Sequence, residues 1–298
     1  MTNDLLRRAR RLWTGLAEAP AAFPPRGAAT VLVSPDSGLC PAGWVGLITL
    51  DGAVLATAPD ERRAALVRAA LHPDPGAAAD PQRLRAALPI RCLLGTATLA
   101  YLAPDALTAP APRLPRFPPG VPTLRARRLP ADHPALRQPA APDAAPRTYR
   151  LPLDRATPQQ PAVQGPTATG APTTPRVRRL PPGHPALRQL ADRVPSEERD
   201  EAGLDEITSP VFAVTEGSTV LAACGYRAWP FATAQFSVLT TPAHRGRGLA
   251  GTVAAAAARH ALAAGLLPQW RARPAASRRV AQRIGFRELG TQISLEVP

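Results

Sequence analysis

The sequence predicts an α/β (α+β) protein in which a mixed, mostly antiparallel central sheet is flanked by helices. Paired β-rich runs surround short turns at Asp51-Gly52 and Glu216-Gly217-Ser218, a pattern typical of antiparallel hairpins. A further β-rich run, Thr233–Thr240, precedes a glycine-arginine loop and a long alanine-rich stretch. This order predicts a strand, a tight loop and a helix that packs on the sheet.

Prolines and arginines divide the chain of 298 residues into three parts. Residues 110–195 contain 21 of the 38 prolines, and residues 113–193 contain 14 arginines against four acidic residues. Proline fixes φ and removes a backbone donor, so most of this stretch is predicted to be a disordered linker. We therefore expect a smaller N-terminal α/β domain at residues 1–105, a Pro/Arg-rich linker at 106–174 and a second domain at 175–298.

The bulk charge and the cysteines argue against several functional classes. The formal net charge is +14 and every basic residue is arginine. Because the excess lies mainly in the linker, a specific nucleic-acid site is not predicted. The three cysteines, Cys40, Cys92 and Cys224, have neither metal spacing nor a disulfide framework. No signal peptide and no apolar segment of about 18 residues is visible. These features predict a cytoplasmic protein without a metal site or a membrane span.

The N-terminal part is predicted to contain a helix, a strand, a hairpin, two capped helices and a final strand. Asp60 and Asp80 precede helical patterns and can accept hydrogen bonds from the first helical amides. No cofactor site is visible in this part. The predicted strands are Ala28–Val33, Trp44–Leu50, Ala53–Ala58 and Ile90–Leu102, and the predicted helices are Asp4–Leu16, Asp60–Leu71 and Asp80–Leu88.

A repeat links the proline-rich region to the second domain. The sequence RRLPADHPALRQ at Arg127–Gln138 recurs as RRLPPGHPALRQ at Arg178–Gln189. The first copy meets Pro139, which ends a helix, so it is interpreted as a spare copy within the linker. The second copy continues in a helical pattern and predicts a strand at Val177–Leu180 followed by a helix at His184–Arg193.

The C-terminal part carries the strongest pattern of strands and helices. After a hairpin and a third strand, a helix and a short strand are expected. A second helix should stop at Gly285, as a left-handed C-cap requires. The predicted elements are strands at Val211–Val214, Thr219–Tyr226, Thr233–Thr240 and Leu267–Arg271, helices at Arg247–Ala264 and Ala275–Ile284, and a final strand or hairpin at Glu288–Glu296.

The loop between the third strand and the long helix has the composition of an anion site. The first amides of a helix have no partner within it, and the helix dipole adds partial positive charge there. Gly246 and Gly248 let the backbone approach an anion closely. Arg245 and Arg247 add donors for phosphate oxygens. The loop is therefore predicted to bind a pyrophosphate, although it lacks the pattern of a P-loop.

These residues carry a resemblance to a known family. Arg245-x-x-Gly248-x-Ala250, after a strand ending in Thr-x-Pro, resembles the acyl-coenzyme A signature (Q/R-x-x-G-x-G/A) of the GNAT superfamily of N-acetyltransferases. The sequence SRRVAQRIGFRELG at Ser277–Gly290 and the hairpin EGSTVLAACGY are similar to other elements of that family. The resemblance covers about residues 177–298. It implies a GNAT-type sheet, and the N-terminal part is either a degenerate GNAT-like half or a cover for a sheet edge or the acceptor cleft.

The resemblance implies acetyl-CoA as the cofactor. Its pyrophosphate would lie on the loop and helix start, and its pantetheine arm would pair beside the third strand, which must splay from Leu267–Arg271. A backbone N–H of that strand, at Val238 or Leu239, would polarise the thioester carbonyl. The cofactor-binding residues so implied are Val238, Leu239, Thr240, Arg245, Gly246, Arg247, Gly248, Leu249 and Ala250.

Acid–base residues are less well marked than the cofactor loop. Many relatives carry a tyrosine four residues before the glycine of Gly-Phe, but Ala281 occupies that position here. Ser277 is the nearest hydroxyl that could protonate the leaving thiolate. Glu206 is the candidate base, ahead of Asp205 and Glu216, because in relatives that end of the sheet borders the acceptor cleft.

The sequence thus predicts an acyl-CoA-dependent N-acyltransferase, an enzyme that transfers acetyl to a primary amine within a ternary complex. The acceptor would be a small molecule or a protein N-terminus or lysine, and a homodimer is one assembly considered. The alternative is a non-catalytic acyl-CoA-binding or regulatory module, which the alanine at position 281 favours.

Overall fold

Ten strands form one sheet in the computed structural model, which describes residues 2–107 and 177–298. Helices flank the sheet, and most neighbouring strands are antiparallel, so the predicted fold class is confirmed. The strands are β1 (Ala29–Val33), β2 (Val45–Leu50), β3 (Ala53–Ala58), β4 (Cys92–Tyr101), β5 (Val177–Leu180), β6 (Val211–Glu216), β7 (Thr219–Trp229), β8 (Thr233–Thr240), β9 (Leu267–Ala272) and β10 (Arg287–Glu296).

All of the helices except α5 were predicted from the sequence. The short helix α5 was missed, and α6 begins two residues later than expected, so Arg247 lies before it. The helices are α1 (Thr2–Leu16), α2 (Glu61–Leu71), α3 (Pro81–Ala87), α4 (Pro185–Ala191), α5 (Ser196–Ala202), α6 (Leu249–Ala263) and α7 (Ala275–Arg283). Short 3-10 turns cover Pro75–Ala79, Leu204–Glu206 and Pro242–His244.

Local chemistry explains where these elements begin and turn. The carboxylates of Asp60 and Asp80 accept hydrogen bonds from the first amides of α2 and α3, as N-cap residues do. At the start of α4 the ring of His184 plays the same part, because Nδ1 accepts from the Ala186 N–H at 3.2 Å. Asp51 and Gly52 both have positive φ, which the tight hairpin between β2 and β3 requires.

The two described segments share the sheet. The strand order is β1-β3-β2-β10-β4-β9-β8-β7-β6-β5. The C-terminal strand β10 therefore lies between β2 and β4, and β4 lies between β10 and β9. Both segments belong to one compact unit. The domain boundaries at residues 105 and 174 stay predictions, and nearly all of the predicted linker, with its spare repeat copy at Arg127–Gln138, lies outside the described residues.

Side chains alternate between two faces of the sheet, and different helices cover each face. Phe212 and Val214 of β6 pack in the core beneath α6, whereas Val211 and Ala213 pack in the core beneath α4. On β4, Ala100 joins the α6 core, while Tyr101 joins the core beneath α1. Helices α6 and α7 thus cover one face, which we call the α6 face. Helices α1, α4 and α5 lie on the opposite face, which we call the α5 face.

A close backbone approach holds β10 in the middle of the sheet. Gly290 pairs with Leu50 of β2 on one side and Leu99 of β4 on the other. A Cβ atom at position 290 would lie 1.7 Å from the carbonyl oxygen of Thr49. Only glycine leaves room for β2 and β10 to pair there, because the obstructing atom belongs to the backbone and cannot rotate away.

Replacement of Gly290 by alanine should separate β10 from β2. We expect Gly290→Ala to lower the free energy of unfolding by about 3 kcal/mol or more, because backbone must shift to relieve the clash. Urea unfolding followed by circular dichroism measures the change. Gly95→Ala on β4 is the matched control, since a Cβ at position 95 meets no atom within 4 Å. Equal unfolding midpoints for the two variants would contradict the pairing.

Candidate functional site

A gap opens in the sheet between β8 and β9. The two strands pair in parallel only from Thr233–Gln235 to Leu267–Gln269, and then they part. Beyond that point β8 remains paired with β7 as far as Thr240, and β9 remains paired with β4 as far as Ala272. The edges that face each other across the gap are therefore unpaired over the second half of β8. This separation agrees with the expected splay.

The alternation of backbone groups along β8 decides which amides face the gap. The N–H of Thr241 donates to Leu221 of β7, and the carbonyl of Ala232 accepts from Leu267 of β9. In a strand, the N–H and C=O of one residue point to the same side and alternate from residue to residue. The N–H groups of Val238 and Thr240 thus point into the gap, whereas the N–H of Leu239 points to β7.

The loop after β8 leads to an uncapped helix entrance. Gly248 is the N-cap of α6 and has no side chain to accept from the first amides. The first helical hydrogen bond runs from the Thr252 N–H to the Gly248 carbonyl at 3.1 Å. Gly246 and Gly248 have φ near +75° and +79°, and a Cβ at either would meet no atom within 4 Å. The amides of Leu249, Ala250 and Gly251 precede the first helical hydrogen bond, and such amides at a helix entrance suit an anion.

Arg245 lies at the exit of the gap. Its Nε donates to the carbonyl of Thr240 at 3.3 Å, and its guanidinium forms an ion pair with Glu198 of α5. The hydroxyl Oγ1 of Thr240 is buried and has no hydrogen-bond partner among the described residues. A buried hydroxyl without a partner costs free energy, so this end of the gap has a donor and an acceptor that a ligand can satisfy.

Ser277 contacts an aromatic ring of β9. The ring N–H of Trp270 donates to the Ser277 hydroxyl at 3.0 Å, so the serine oxygen acts as an acceptor there and its proton is free to be donated elsewhere. Ala281 follows one turn later on the same side of α7 and is buried in the core that also contains Trp270 and Phe286. A tyrosine at position 281 would have to displace this packing.

The remaining candidate residues are separated from one another. Glu206 ends a 3-10 turn on the α5 face, is exposed, and accepts from Arg227 at 2.9 Å. Asp205 and Glu216 are exposed as well. His260 lies on α6, where its Nδ1 contacts the Tyr226 hydroxyl at 2.8 Å. Burial is the main cause that lowers the pKa of His260, as expected for a packing residue.

A family model matches part of the C-terminal region. The model of the GNAT acetyltransferases matches residues 212–291, which run from β6 through the gap and the helix entrance into β10. The match supports a GNAT domain in the C-terminal region. No curated protein matches the chain.

Solved structures similar to this chain include several with GNAT domains. A GNAT-family protein from Novosphingobium aromaticivorans is 17% identical over 68% of this chain and 65% of its own, with a TM-score of 0.37, so the chain spans less than two thirds of that protein. An acetyltransferase from the GNAT family of Colwellia psychrerythraea is 10% identical, over 100% and 98%, with a TM-score of 0.44. A Salmonella typhimurium protein, solved with its cofactor acetyl-CoA, is 18% identical over 42% and 94%, with a TM-score of 0.31. At these TM-scores none of them assigns a role to a residue here.

Strands β4, β9 and β10 also border a cavity that the sequence did not predict. The cavity measures about 260 Å³ and lies on the α5 face. Its apolar walls include Leu39, Leu94 and Trp229, and its polar lining includes Arg271 and Gln292. These residues come from distant parts of the chain, so no local pattern could have brought them together.

A short chain of hydrogen bonds spans the cavity. The Gln292 amide accepts from the Arg271 guanidinium at 3.4 Å and donates to the Leu39 carbonyl at 2.7 Å. Burial is the largest cause that lowers the pKa of Arg271, and Arg273 adds to it, while Glu201 and Glu206 act in the opposite direction. Gln292 of β10 thus joins the C-terminal segment to the N-terminal segment.

Neither metal-binding groups nor membrane spans are found in the described ranges. Within residues 2–107 and 177–298, no group of three or more His, Cys, Asp or Glu side chains could hold a metal ion. No helix in these ranges combines the length and the apolar character that crossing a bilayer demands.

The cavity-lining thiol of Cys40 should react slowly with thiol reagents. Burial raises the pKa of Cys40 from 9.0 to about 11, so its thiolate fraction at pH 8 is about 100-fold lower than that of an ordinary thiol. Because the pKa is raised, its reactivity should increase with pH up to about pH 11. Cys92 is exposed and Cys224 is buried, so Cys92 should react first. Reaction with Ellman's reagent at pH 8 measures this order.

The serine variants separate the two thiols. Cys92→Ser should remove the fast phase, whereas Cys40→Ser should leave it unchanged. A fast phase that survives in Cys92→Ser would show that the Cys40 thiol is more accessible than its surroundings indicate.

Proposed function

We propose that the protein is an acyl-CoA-dependent N-acyltransferase that transfers acetyl from acetyl-CoA to a primary amine by direct attack in a ternary complex. The observation that carries this proposal is the gap between β8 and β9, which leads directly to the uncapped entrance of α6. The match of residues 212–291 to the GNAT acetyltransferases supports it.

The residues around the gap fit the two ends of the cofactor. The pyrophosphate would accept from the amides of Gly246, Arg247, Gly248, Leu249 and Ala250, where two glycines leave open space. Arg245 adds charge, provided that it exchanges Glu198 for phosphate oxygens. Both arginine and carboxylate are exposed, so the ion pair is weak and the exchange costs little.

The pantetheine arm would pair with the free edge of β8. The backbone groups of Val238 and Thr240 face the gap, and the unpartnered Thr240 hydroxyl offers a further contact. Leu239 would contribute through packing, since its own amide points to β7. Pairing of this kind is the addition of an extended segment to an open strand edge.

The Val238 N–H is the proposed oxyanion donor. Acetyl-CoA supplies a thioester whose carbonyl carbon accepts the amine. A fixed N–H that points at the carbonyl oxygen stabilises the negative charge that develops there, and it needs no reorganisation. The amine nitrogen forms the new C–N bond as the C–S bond breaks, and the proton that the amine loses balances the proton that the departing thiolate gains.

Glu206 and Ser277 are the proposed proton carriers. Glu206 lies on the α5 face with its carboxylate held by Arg227, and it would take the proton from the amine. The Ser277 hydroxyl, which accepts from Trp270, keeps a proton to donate toward the sulfur. A thiolate is a good leaving group, so the general acid contributes less than the orientation of the two reactants.

The N-terminal part is proposed to form one wall of the site rather than a second cofactor site. Its strand β4 pairs with β9 along the far side of the gap. The three-part division of the chain, its cytoplasmic location and its assembly as a homodimer remain proposals.

Gly248→Asp should weaken binding of acetyl-CoA by about tenfold or more, since a carboxylate at the helix entrance repels the pyrophosphate. Isothermal titration calorimetry gives the Kd. Gly217→Asp in the β6–β7 turn is the matched control, because Gly217 also has positive φ and open space around its Cβ position. An unchanged Kd for Gly248→Asp would refute the assignment of the loop.

Release of free coenzyme A thiol distinguishes an enzyme from a binding module. The full chain is incubated with acetyl-CoA and a panel of primary amines. The released thiol is measured, and the N-acetyl product is identified by mass spectrometry. Turnover with at least one amine is the expected result. Tight binding of acetyl-CoA without product from any amine would favour the non-catalytic module. The buried Ala281, which occupies the usual tyrosine position, is the observation that motivates this alternative.

A further inference from the structure

The cavity on the α5 face is lined by a guanidinium that has no carboxylate partner among the described residues. Within the described ranges, Arg273 pairs with Glu201 and Arg227 pairs with Glu206, but Arg271 makes no ion pair. Its hydrogen-bond acceptor there is the neutral amide of Gln292 at 3.4 Å. Arg271 is exposed along the cavity, so its guanidinium can donate hydrogen bonds to an anion that comes from outside the chain.

Arg271 also lies beside the gap. The parallel register sets Gln235 against Gln269, and two residues further along both strands lie Ser237 and Arg271. Trp270 packs in the α6 core, so the adjacent Arg271 points to the opposite α5 face, where it lines the cavity. Arg271 thus belongs to the strand that borders the gap, and its guanidinium extends over β4 toward Gln292 of β10.

The rest of the cavity suits a small molecule with an apolar part. Leu94 is 39% exposed although it lies in a strand, and with Leu39 and Trp229 it presents an apolar wall. A volume of about 260 Å³ lies just below the range of sites for drug-sized ligands. It is adequate for an amino acid but not for a folded protein surface. Arg273 also lines the cavity, and two guanidinium groups disfavour polycations.

We propose that the cavity binds the acceptor, that this acceptor is a small amine carrying a carboxylate close to the amino group, and that Arg271 binds the carboxylate. This inference rests on the proposed acetyl transfer and names the substrate class of the same site. A planar guanidinium can donate two parallel hydrogen bonds to a carboxylate. Gln292 is then a positioning residue, because it holds the guanidinium and is itself held by the Leu39 carbonyl.

Matched pairs of amines test the inference. Phenylalanine and leucine are compared with phenethylamine and isopentylamine, which differ from them only by the carboxylate, and spermidine and a lysine-containing peptide complete the panel. We expect acetylation of an amino acid with a kcat/KM at least about 100-fold above that of its decarboxylated partner, in keeping with the strength of charge-assisted hydrogen bonds. A preference for spermidine, the peptide or the decarboxylated amines would overturn the inference and leave acetyl transfer intact.

Variants of Arg271 locate the effect. Arg271→Gln should remove most of the discrimination by raising KM for the amino acid, with the Kd for acetyl-CoA unchanged, and Arg271→Lys should restore part of it. Arg85→Gln, an exposed arginine of α3, is the matched control and should retain full discrimination. Equal thermal midpoints for the variants show that each is folded. Discrimination that survives in Arg271→Gln would exclude this arginine as the binder.

A binding measurement does not depend on turnover. Calorimetry of the amino acids against the full chain saturated with coenzyme A should give heat of binding that Arg271→Gln abolishes. If acetyl-CoA and coenzyme A do not bind at all, the proposed function fails, and the same titration is then made without them. Absence of amino-acid binding in both titrations would overturn the inference itself.

Discussion

The parallel pairing of β8 with β9 extends over three residues, and every feature of the site follows from the point where it ends. Each strand has a full partner on its other side, β7 for β8 and β4 for β9. Both strands therefore continue as strands beyond the point where they separate, because each is paired with its outer neighbour. The amides that face the gap are extended and cannot pair with one another, so water or a ligand must satisfy them. The pairing of β8 with β7 fixes the direction of its backbone groups, which favours a preorganised N–H at Val238.

The outer wall of the gap depends on the N-terminal segment. Strand β9 is paired with β4, β4 is paired with β10, and β10 is paired with β2. Strand β10 of the C-terminal segment thus lies between two N-terminal strands, β2 and β4. Strand β4 of the N-terminal segment lies between two C-terminal strands, β10 and β9. Gly290 makes this possible where β10 passes within van der Waals distance of the Thr49 carbonyl. The N-terminal segment therefore cannot be removed without exposing the edge of β9 and opening the cavity around Arg271.

Local sequence patterns predicted nearly all of the elements but not how they combine. The caps Asp60 and Asp80, the Asp51-Gly52 turn and the Gly285 stop each depend on the chemistry of a few neighbouring residues, and the structure contains them. Helix α5 escaped prediction because its residues Ser196–Ala202 are polar and none is buried, so no apolar period marks it. The position of β10 between β2 and β4 depends on pairing across most of the chain, which no local pattern encodes. The cavity was missed for the same reason, since Leu39, Arg271 and Gln292 are distant in sequence.

Acidic residues in and after α5 pair with three of the arginines around the gap but not with Arg271. Glu198, Glu201 and Glu206 pair with Arg245, Arg273 and Arg227, which belong to the ends of three different strands or follow them. All three pairs are exposed, and such pairs contribute little to stability. They can therefore exchange partners at small cost. Arg271 differs because it lines the cavity and, in the described ranges, its hydrogen-bond acceptor is the neutral amide of Gln292 and not a carboxylate. The same segment would thus leave Arg245 available to phosphate, while Arg271 on β9 would stay available to the proposed acceptor.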